Sequence, residues 1–211
     1  MSEQSASYRV ELTKPYVEAV NYSRVKLLPS ELNNDLYANL KNRLIQKVEG
    51  KCNKWNYVVK VYDLTIESHG EIEPEDVHCG AVFNVSYNAL VCKLMEGMVV
   101  VCVIDKISPD FIITANKGFG GIVQMSTINR DHFSFDRPTN KFYYVRDNEP
   151  REVVIGDKIV VQVKKINYFS NQRDIMMMGE LFRLATAEEV REYHYEETSR
   201  AQQLALEFDE Q

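Results

Sequence analysis

Five short segments rich in β-branched residues follow one another within residues 97–181, and they restrict the fold of this chain more than any other feature. Glycines stand at the bends, and no apolar period of helical length separates the segments. Short strands joined by turns are typical of a small closed barrel. Their order predicts a five-stranded OB-fold β-barrel, whose open face commonly binds single-stranded nucleic acid. The predicted strands are 97–104, 110–115, 121–126, 158–166 and 174–178.

The first 96 residues predict a second module, a small α+β domain. A helix should begin near Ser30, a typical N-cap residue, and end at Gly50. Its leucines recur at every fourth position, so one apolar stripe should pack against a flat partner. Alternating apolar residues predict two strands of that partner sheet, over 56–62 and 81–91. A sheet with one face covered by a helix is a common α+β arrangement.

Four further segments carry weaker signals. Residues 8–13 alternate apolar and polar side chains and suit a strand, whereas residues 15–29 look irregular. Turn-forming and acidic residues fill 66–80 and predict a surface loop. Residues 130–150 interrupt the barrel with five aromatic side chains, so we expect this segment to fold back on the barrel.

The chain is expected to divide into residues 1–96, 97–184 and 185–211. The link between the first two parts is short, which favours a fixed relative orientation. In the last part, Thr186 and Glu189 form a capping-box pattern, and apolar residues follow at helical spacing. An acidic amphipathic helix of this length is marginal alone. It is expected either to dock on a partner or on the protein body, or to remain a solvated tail.

The acidity of the chain is concentrated near its end. The net charge is −6, and residues 183–211 hold eight acidic and three basic residues. No part of the chain is basic enough to bind duplex DNA by charge alone. No apolar run approaches the roughly 20 residues of a bilayer span, and the polar start argues against a secretory signal. We therefore expect an intracellular protein with no membrane partner.

No constellation of residues suggests catalysis, a metal or a cofactor. The four cysteines include no C-x-x-C pair, and His78 beside Cys79 is too small a ligand set for zinc. Buried structural thiols are the expected role of the cysteines. Residues 118–121 lack the lysine and hydroxyl of a phosphate-binding loop and predict a turn. The histidines show no triad order, so a non-catalytic role is expected.

The barrel carries a candidate surface for single-stranded RNA. Such surfaces combine exposed aromatic rings, on which bases stack, with cations that meet the phosphates. The alternative is that the phenylalanines fill the barrel and the lysines keep the protein soluble. The candidate residues are Phe111, Lys117, Phe119, Lys164, Lys165, Tyr168 and Arg173.

Two stretches of the first module carry a family resemblance. Residues 70–74 read Gly-Glu-Ile-Glu-Pro, and residues 80–93 form a long alternating run. With residues 44–52 and 57–63, they resemble the stalk subunit of archaeal and eukaryotic multisubunit RNA polymerases. This family includes the seventh subunit of RNA polymerase II and its archaeal counterpart. The barrel is similar to an OB module of the ribosomal small-subunit type, in which a His often stands where this chain has Gln124. Such departures are typical of a divergent member, viral or from a distant eukaryote.

The resemblance implies a non-catalytic subunit of a DNA-directed RNA polymerase. Its first module would be a tip domain that docks on the large core subunits near the clamp, and its barrel would face nascent single-stranded RNA. A small helical stalk partner would lie along both modules. The implied location is the nucleus in a cellular eukaryote, and the cytoplasm or virion for a virus. The candidate core-binding residues are Gly50, Lys51, Lys54, Trp55, Pro74, Asp76 and Gly80.

A free-standing RNA-binding protein of translation or RNA decay is the competing hypothesis, because such a protein could carry the same barrel. The two hypotheses differ in residues 1–96. A stalk subunit requires the α+β module there, whereas a free RNA binder more often carries basic tails or repeated barrels.

Overall fold

An open sheet and a closed barrel form the two halves of the computed structural model of this chain. Within the described residues, the first half holds five strands and one α-helix, and the second half holds eight strands. This mixed α+β, mostly stranded composition agrees with the predicted fold class. The structure describes residues 12–74, 76–125, 128, 133–136, 139, 141–146, 149–168 and 174–191.

The open sheet is built around one long central strand. Its antiparallel order is β1-β5-β3-β2, and β4 also pairs with β5. The pairing of β1 with β5 is continuous from Tyr16 opposite Cys92 to Leu27 opposite Ala81. The length of β5 therefore separates the loops at the two ends of the sheet. The strands are β1 (Tyr16–Leu27), β2 (Lys51–Cys52), β3 (Tyr57–Ile66), β4 (Glu71–Ile72) and β5 (Ala81–Cys92).

Helix α1 (Leu36–Val48) covers one face of the sheet. Leu40 and Leu44 are buried on that face, with Leu36 and Val48 packed beside them. The predicted apolar stripe is therefore confirmed from Leu36 onward, whereas Leu32, its expected first member, precedes the helix and is exposed. The helix ends two residues before Gly50, whose φ of +68° is the left-handed conformation that glycine adopts without steric cost.

The predicted helix start at Ser30 is wrong. Residues Pro29–Glu31 form a separate 3₁₀ turn, and Asp35 precedes α1. The Glu31 carboxylate accepts a hydrogen bond from the Leu28 N–H at 2.9 Å, which closes that turn. It also pairs with the Arg43 guanidinium at 2.8 Å, so the turn is tied to the side of the helix that follows it.

Strand β1 occupies a segment that the sequence presents as irregular, so the prediction for residues 15–29 is wrong. The side of β1 that faces α1 begins with Ala19, Asn21 and Ser23, and its fully buried residues come only afterwards. Small and polar residues at inward positions hide the apolar alternation that would predict a strand. The strand predicted over residues 8–13 falls mainly outside the described residues.

The second half of the chain contains the predicted five-stranded barrel. Its strands close in the order β12-β13-β8-β7-β6, with β8 and β13 parallel and the other neighbouring pairs antiparallel. This closed arrangement is consistent with an OB-like fold. The last strand runs six residues past its predicted end. The eight strands are β6 (Val99–Ile107), β7 (Phe111–Asn116), β8 (Phe119–Gln124), β9 (Phe133–Asp136), β10 (Lys141–Arg146), β11 (Glu149–Val153), β12 (Lys158–Asn167) and β13 (Ile175–Leu184).

The aromatic insertion folds back on the barrel, as predicted. Strands β9, β10 and β11 form a separate three-stranded sheet. Phe133 and Phe142 stack in nearly parallel planes with their ring centres 5.3 Å apart. Both rings are buried in the cluster that forms the barrel core. The insertion therefore adds apolar side chains to the barrel.

One hydrophobic core crosses the link between the two modules. Phe119 of the barrel belongs to the same buried cluster as Tyr57 and Leu94 of the first half. The Tyr16 ring lies 6.5 Å from the Phe119 ring, and the Tyr16 hydroxyl donates a hydrogen bond to the Lys117 carbonyl at 2.8 Å. The boundary between residues 96 and 97 remains a prediction, since side chains from both sides pack together there.

Two further contacts hold the modules together. The Tyr168 hydroxyl donates to the Leu94 carbonyl at 2.7 Å and accepts from the Leu94 N–H at 3.0 Å. Gly118, with a φ of +90°, lies against the Tyr57 ring, and a Cβ atom at Gly118 would stand 2.5 Å from a ring carbon. A side chain at residue 118 would therefore both strain the turn and push the modules apart.

The capping box predicted after the barrel is confirmed. The Thr186 N–H donates to the Glu189 carboxylate at 2.8 Å, and the Glu189 N–H donates to the Thr186 hydroxyl at 3.3 Å. The Arg183 guanidinium, on β13, forms two hydrogen bonds to the same carboxylate, at 2.6 and 2.7 Å. A helical turn thus begins where the sequence predicts it, anchored to the barrel. The rest of the predicted acidic helix, residues 192–211, lies outside the described residues.

Candidate nucleic-acid and docking surfaces

The outer surface of β7, β8 and β13 forms a partly apolar face, here called the barrel face. Strand register places Ile113 beside Ile122, and Ile122 beside Met178. In the adjacent row, the half-buried Phe111 lies beside Gln124. Ile122 and Met178 are exposed although both are apolar. The barrel face therefore offers a partly apolar surface to an aromatic or apolar ligand group.

Two lysines border the barrel face. A register shift between Val163 and Lys165 lets the consecutive residues Lys164 and Lys165 both reach solvent. Lys165 lies opposite Met178, and Lys164 lines an open depression together with residues of β8 and β13. The Lys164 ammonium also pairs with the Glu180 carboxylate at 2.8 Å. The structure therefore places Phe111, Lys164 and Lys165 on the same side of the barrel, with β8 and β13 between the ring and the lysines. One of the two lysine charges is partly compensated.

The remaining RNA candidates have different surroundings. Phe119 is 1% exposed, so it fills the barrel as the alternative hypothesis stated, and no base can stack on its ring. Tyr168 is half-buried, and its hydroxyl is engaged by Leu94. Lys117 is exposed on the turn between β7 and β8, at the other end of these strands from Phe111. Arg173 lies outside the described residues.

The candidate core-binding residues fall into two groups at opposite ends of the open sheet. Pro74, Asp76 and Gly80 precede Ala81, the first residue of β5. Gly50, Lys51, Lys54 and Trp55 lie near Tyr57, which pairs with the last residue of β5, Cys92. At about 3.3 Å per residue, the 12 residues of β5 separate the two groups by about 35 Å. The structure does not bring them together into one site.

At the end of the sheet remote from the barrel, Asp76 organises the loop. Its carboxylate pairs with the Lys26 ammonium at 2.7 Å and accepts from the Gly80 N–H at 2.7 Å. Bonding to Lys26, then to the backbone N–H groups, lowers the pKa of Asp76 to about 2. The loop presents Val77, which is 91% exposed, and we call residues 73–74 and 76–80 the Val77 loop.

Sequence reasoning missed Val77, although a signal was present. It is an apolar residue inside an otherwise acidic and turn-forming segment. Single exposed apolar side chains are common on protein surfaces, so Val77 marks a candidate contact only together with the fixed shape of its loop. Gly80 supports the same loop by close packing, since a Cβ atom there would stand 3.0 Å from the Leu27 carbonyl oxygen.

At the end of the sheet next to the barrel, Asn53 organises a second loop, residues 53–56, here called the Trp55 loop. The Asn53 side-chain oxygen accepts from the N–H groups of Trp55 at 2.7 Å and Asn56 at 2.8 Å. The Asn53 N–H donates to the Asn56 carbonyl at 2.8 Å. Trp55 is 67% exposed, and the Lys54 ammonium lies 5.0 Å from its ring centre.

The chemistry of the cysteines matches a structural role. Cys52, Cys92 and Cys102 are buried, as predicted, whereas Cys79 is exposed. Burial raises the pKa of Cys52 to about 11 and that of Cys102 to about 12, which disfavours the reactive thiolate. Across the described part of the chain, no three His, Cys, Asp or Glu side chains are grouped as metal ligands. None of the described helices has both the length and the apolarity to cross a membrane.

The chain is similar to a viral protein over nearly its whole length. No protein-family model matches it. A protein of Acanthamoeba polyphaga mimivirus, provisionally named DNA-directed RNA polymerase subunit L376, is 23% identical over 193 residues. The alignment covers 92% of this chain and 90% of the viral protein. It therefore extends over the open sheet as well as the barrel.

Proposed function

We propose that this chain is a non-catalytic subunit of a DNA-directed RNA polymerase, of the stalk type. The observation that carries the proposal is the likeness to the mimivirus protein over nearly the full length of both chains. A protein that shared only an OB-like barrel would align over residues 97–184 alone. The extent of the alignment thus favours a polymerase subunit over a free-standing RNA-binding protein.

In this proposal, the Val77 loop docks on the large core subunits near the clamp. Support comes from an exposed apolar side chain on a loop whose shape is fixed by Asp76, Lys26 and Gly80. A loop that is already ordered loses less conformational entropy on binding. Docking at this end of the sheet leaves the barrel pointing away from the core, because the barrel is attached at the other end of β5.

The barrel face meets nascent single-stranded RNA in the same proposal. The Phe111 ring and the ammonium groups of Lys164 and Lys165 supply the stacking surface and the cations that such a strand requires. Lys117 adds a further cation at the far end of the β7–β8 hairpin. A small helical subunit beside both modules also belongs to the proposal. The protein would act wherever its polymerase acts: in the nucleus of a cellular eukaryote, or in the host cytoplasm or the virion if its source is a virus.

Copurification of the tagged full-length protein from its source cells tests the proposal. We expect the large polymerase subunits in stoichiometric amounts. Val77→Asp should reduce their recovery at least tenfold, because a carboxylate would have to be buried in an apolar pocket (about 1.4 kcal/mol for each factor of ten). Val20→Asp is the matched control, since Val20 is exposed on β1 outside the loop. Recovery of RNA and ribosomal proteins without polymerase would refute the proposal.

A further inference from the structure

The Trp55 loop has the components of a base-stacking site. Its indole is two-thirds exposed, and the Lys54 ammonium lies within cation–π distance of the ring. An open aromatic face supplies a platform for a base, and an adjacent cation meets the phosphate of the same nucleotide. Lys54 and Trp55 therefore combine both requirements in two consecutive residues.

The loop is ordered by its own hydrogen bonds before any ligand binds. Asn53 makes three bonds within the loop through its side-chain oxygen and its N–H, and its amide nitrogen donates to the Asn56 side-chain oxygen at 2.7 Å. The position of Trp55 is thus set by a side chain that faces inward. Ordering of this kind lowers the entropic cost of placing a base on the ring.

The position of the loop relates it to the barrel and separates it from the Val77 loop. Tyr57, two residues after Trp55, packs on Gly118 of the β7–β8 turn, which also carries Lys117. Val77 lies about 35 Å away, at the far end of β5. An RNA strand that leaves the barrel face at Lys117 would reach Trp55 next. A polymerase surface bound to Val77 would not reach Trp55.

We propose that Lys54 and Trp55 form a binding site for single-stranded RNA, which continues the barrel face through Lys117 onto the first module. The inference rests on the proposed function, because it takes RNA to run over the barrel. It assigns Lys54 and Trp55 to RNA and leaves polymerase docking to the Val77 loop. One base stacks on the indole face opposite the Lys54 ammonium, which contacts the neighbouring phosphate.

The fluorescence of the full-length protein tests this site directly, because Trp55 is the single tryptophan of the chain. Titration with oligouridylate should quench this fluorescence, and duplex RNA of equal length should not. Trp55→Ala should raise the Kd for fluorescein-labelled oligouridylate, measured by anisotropy, about five- to one-hundredfold. Trp55→Phe should restore most of the affinity, because it keeps an aromatic face. Tyr22→Ala is the matched control, as Tyr22 is an exposed ring on β1.

Each alternative outcome has a distinct meaning. One outcome is that oligouridylate binds the wild-type protein without quenching its fluorescence, and binds Trp55→Ala with unchanged affinity. The site is then refuted, while RNA binding by the barrel stands. If Trp55→Ala lowers recovery of polymerase subunits and leaves RNA affinity intact, the loop docks on protein and the inference is again wrong. If the wild-type chain binds no RNA, the inference fails together with the RNA part of the proposed function. Copurification with Val77→Asp tests polymerase membership separately.

Discussion

The open sheet and the closed barrel differ in what they can offer a partner. Among the described residues, β1 pairs with β5 on one side and leaves a 12-residue edge on the other. Each barrel strand has two neighbours, so its backbone groups are already paired. A partner can therefore recognise the sheet through its edge and its end loops, whereas it can recognise the barrel only through side chains and turns. The difference teaches that any contact made through backbone hydrogen bonds must fall on the sheet.

The largest expected loss of stability comes from a substitution that tests whether the two modules share one core. Phe119→Ala should lower the free energy of unfolding by about 3–5 kcal/mol, because it empties a fully buried site between them. Urea unfolding can be followed by tryptophan fluorescence, which reports on the first module, and by far-ultraviolet circular dichroism. The midpoints of both transitions should fall to the same extent.

Leu44→Ala is the matched comparison, because Leu44 is buried in the core that belongs to the open sheet alone. We expect a loss of about 2–5 kcal/mol that weakens hydrogen-exchange protection in the sheet more than in the barrel. If Phe119→Ala left the fluorescence transition unchanged, the two modules would be energetically independent.

An intermediate effect concerns the anchor between the barrel and the helical turn. Hydrogen bonds from Arg183, and then from Thr186, lower the pKa of Glu189 to about 2. Because the folded pKa lies below the unfolded value, the stabilisation is present above about pH 4.5 and is lost as the pH falls toward 2. Glu189→Gln should cost about 1–3 kcal/mol at pH 7 and much less at pH 2.5. Urea unfolding at both pH values measures this.

Glu188→Gln is the control for this prediction, because Glu188 is the exposed neighbour in the same turn. Its stability should match the wild type at both pH values. If Glu188→Gln and Glu189→Gln lowered the free energy of unfolding equally, the loss of stability would come from the change in net charge and not from the pair with Arg183.

The smallest expected effect is on the link. Tyr168→Phe removes the hydroxyl that both donates to and accepts from Leu94, which should cost about 1–2 kcal/mol. Faster amide exchange at Leu94 would locate the change at the link. Tyr22→Phe, on the exposed face of β1, should change neither the free energy of unfolding nor the amide exchange at Leu94. Unchanged exchange at Leu94 would show that packing alone holds the modules together.

The barrel could be predicted because its signals are local. Alternation and turn residues act over a few positions, so five strands were assigned correctly despite shifted ends. Strand β1 was missed because Ala19, Asn21 and Ser23 occupy its inward positions. The helix start was missed because Glu31 binds Leu28 and Arg43 in a turn of its own.

The candidate surfaces were harder to predict, because they depend on register and distance. Strand register places Phe111 and Lys164 on one face of the barrel with β8 and β13 between them, although 53 positions separate the two residues in the chain. Trp55 and Val77 are much closer in sequence, yet they lie at opposite ends of β5. The inward direction of Phe119 follows from tertiary packing that no short sequence pattern contains.

Phe119 lies beside the Tyr16 ring and shares one buried cluster with Tyr57, which restricts how such a chain can be recombined. A barrel transplanted onto a foreign N-terminal module would expose the Phe119 ring unless the two tyrosines were transplanted with it. Gly118 belongs to the barrel and would have to remain glycine, as a larger residue there collides with Tyr57. The two halves thus form a matched pair, and a working chimera joined at Gly97 must carry all four residues.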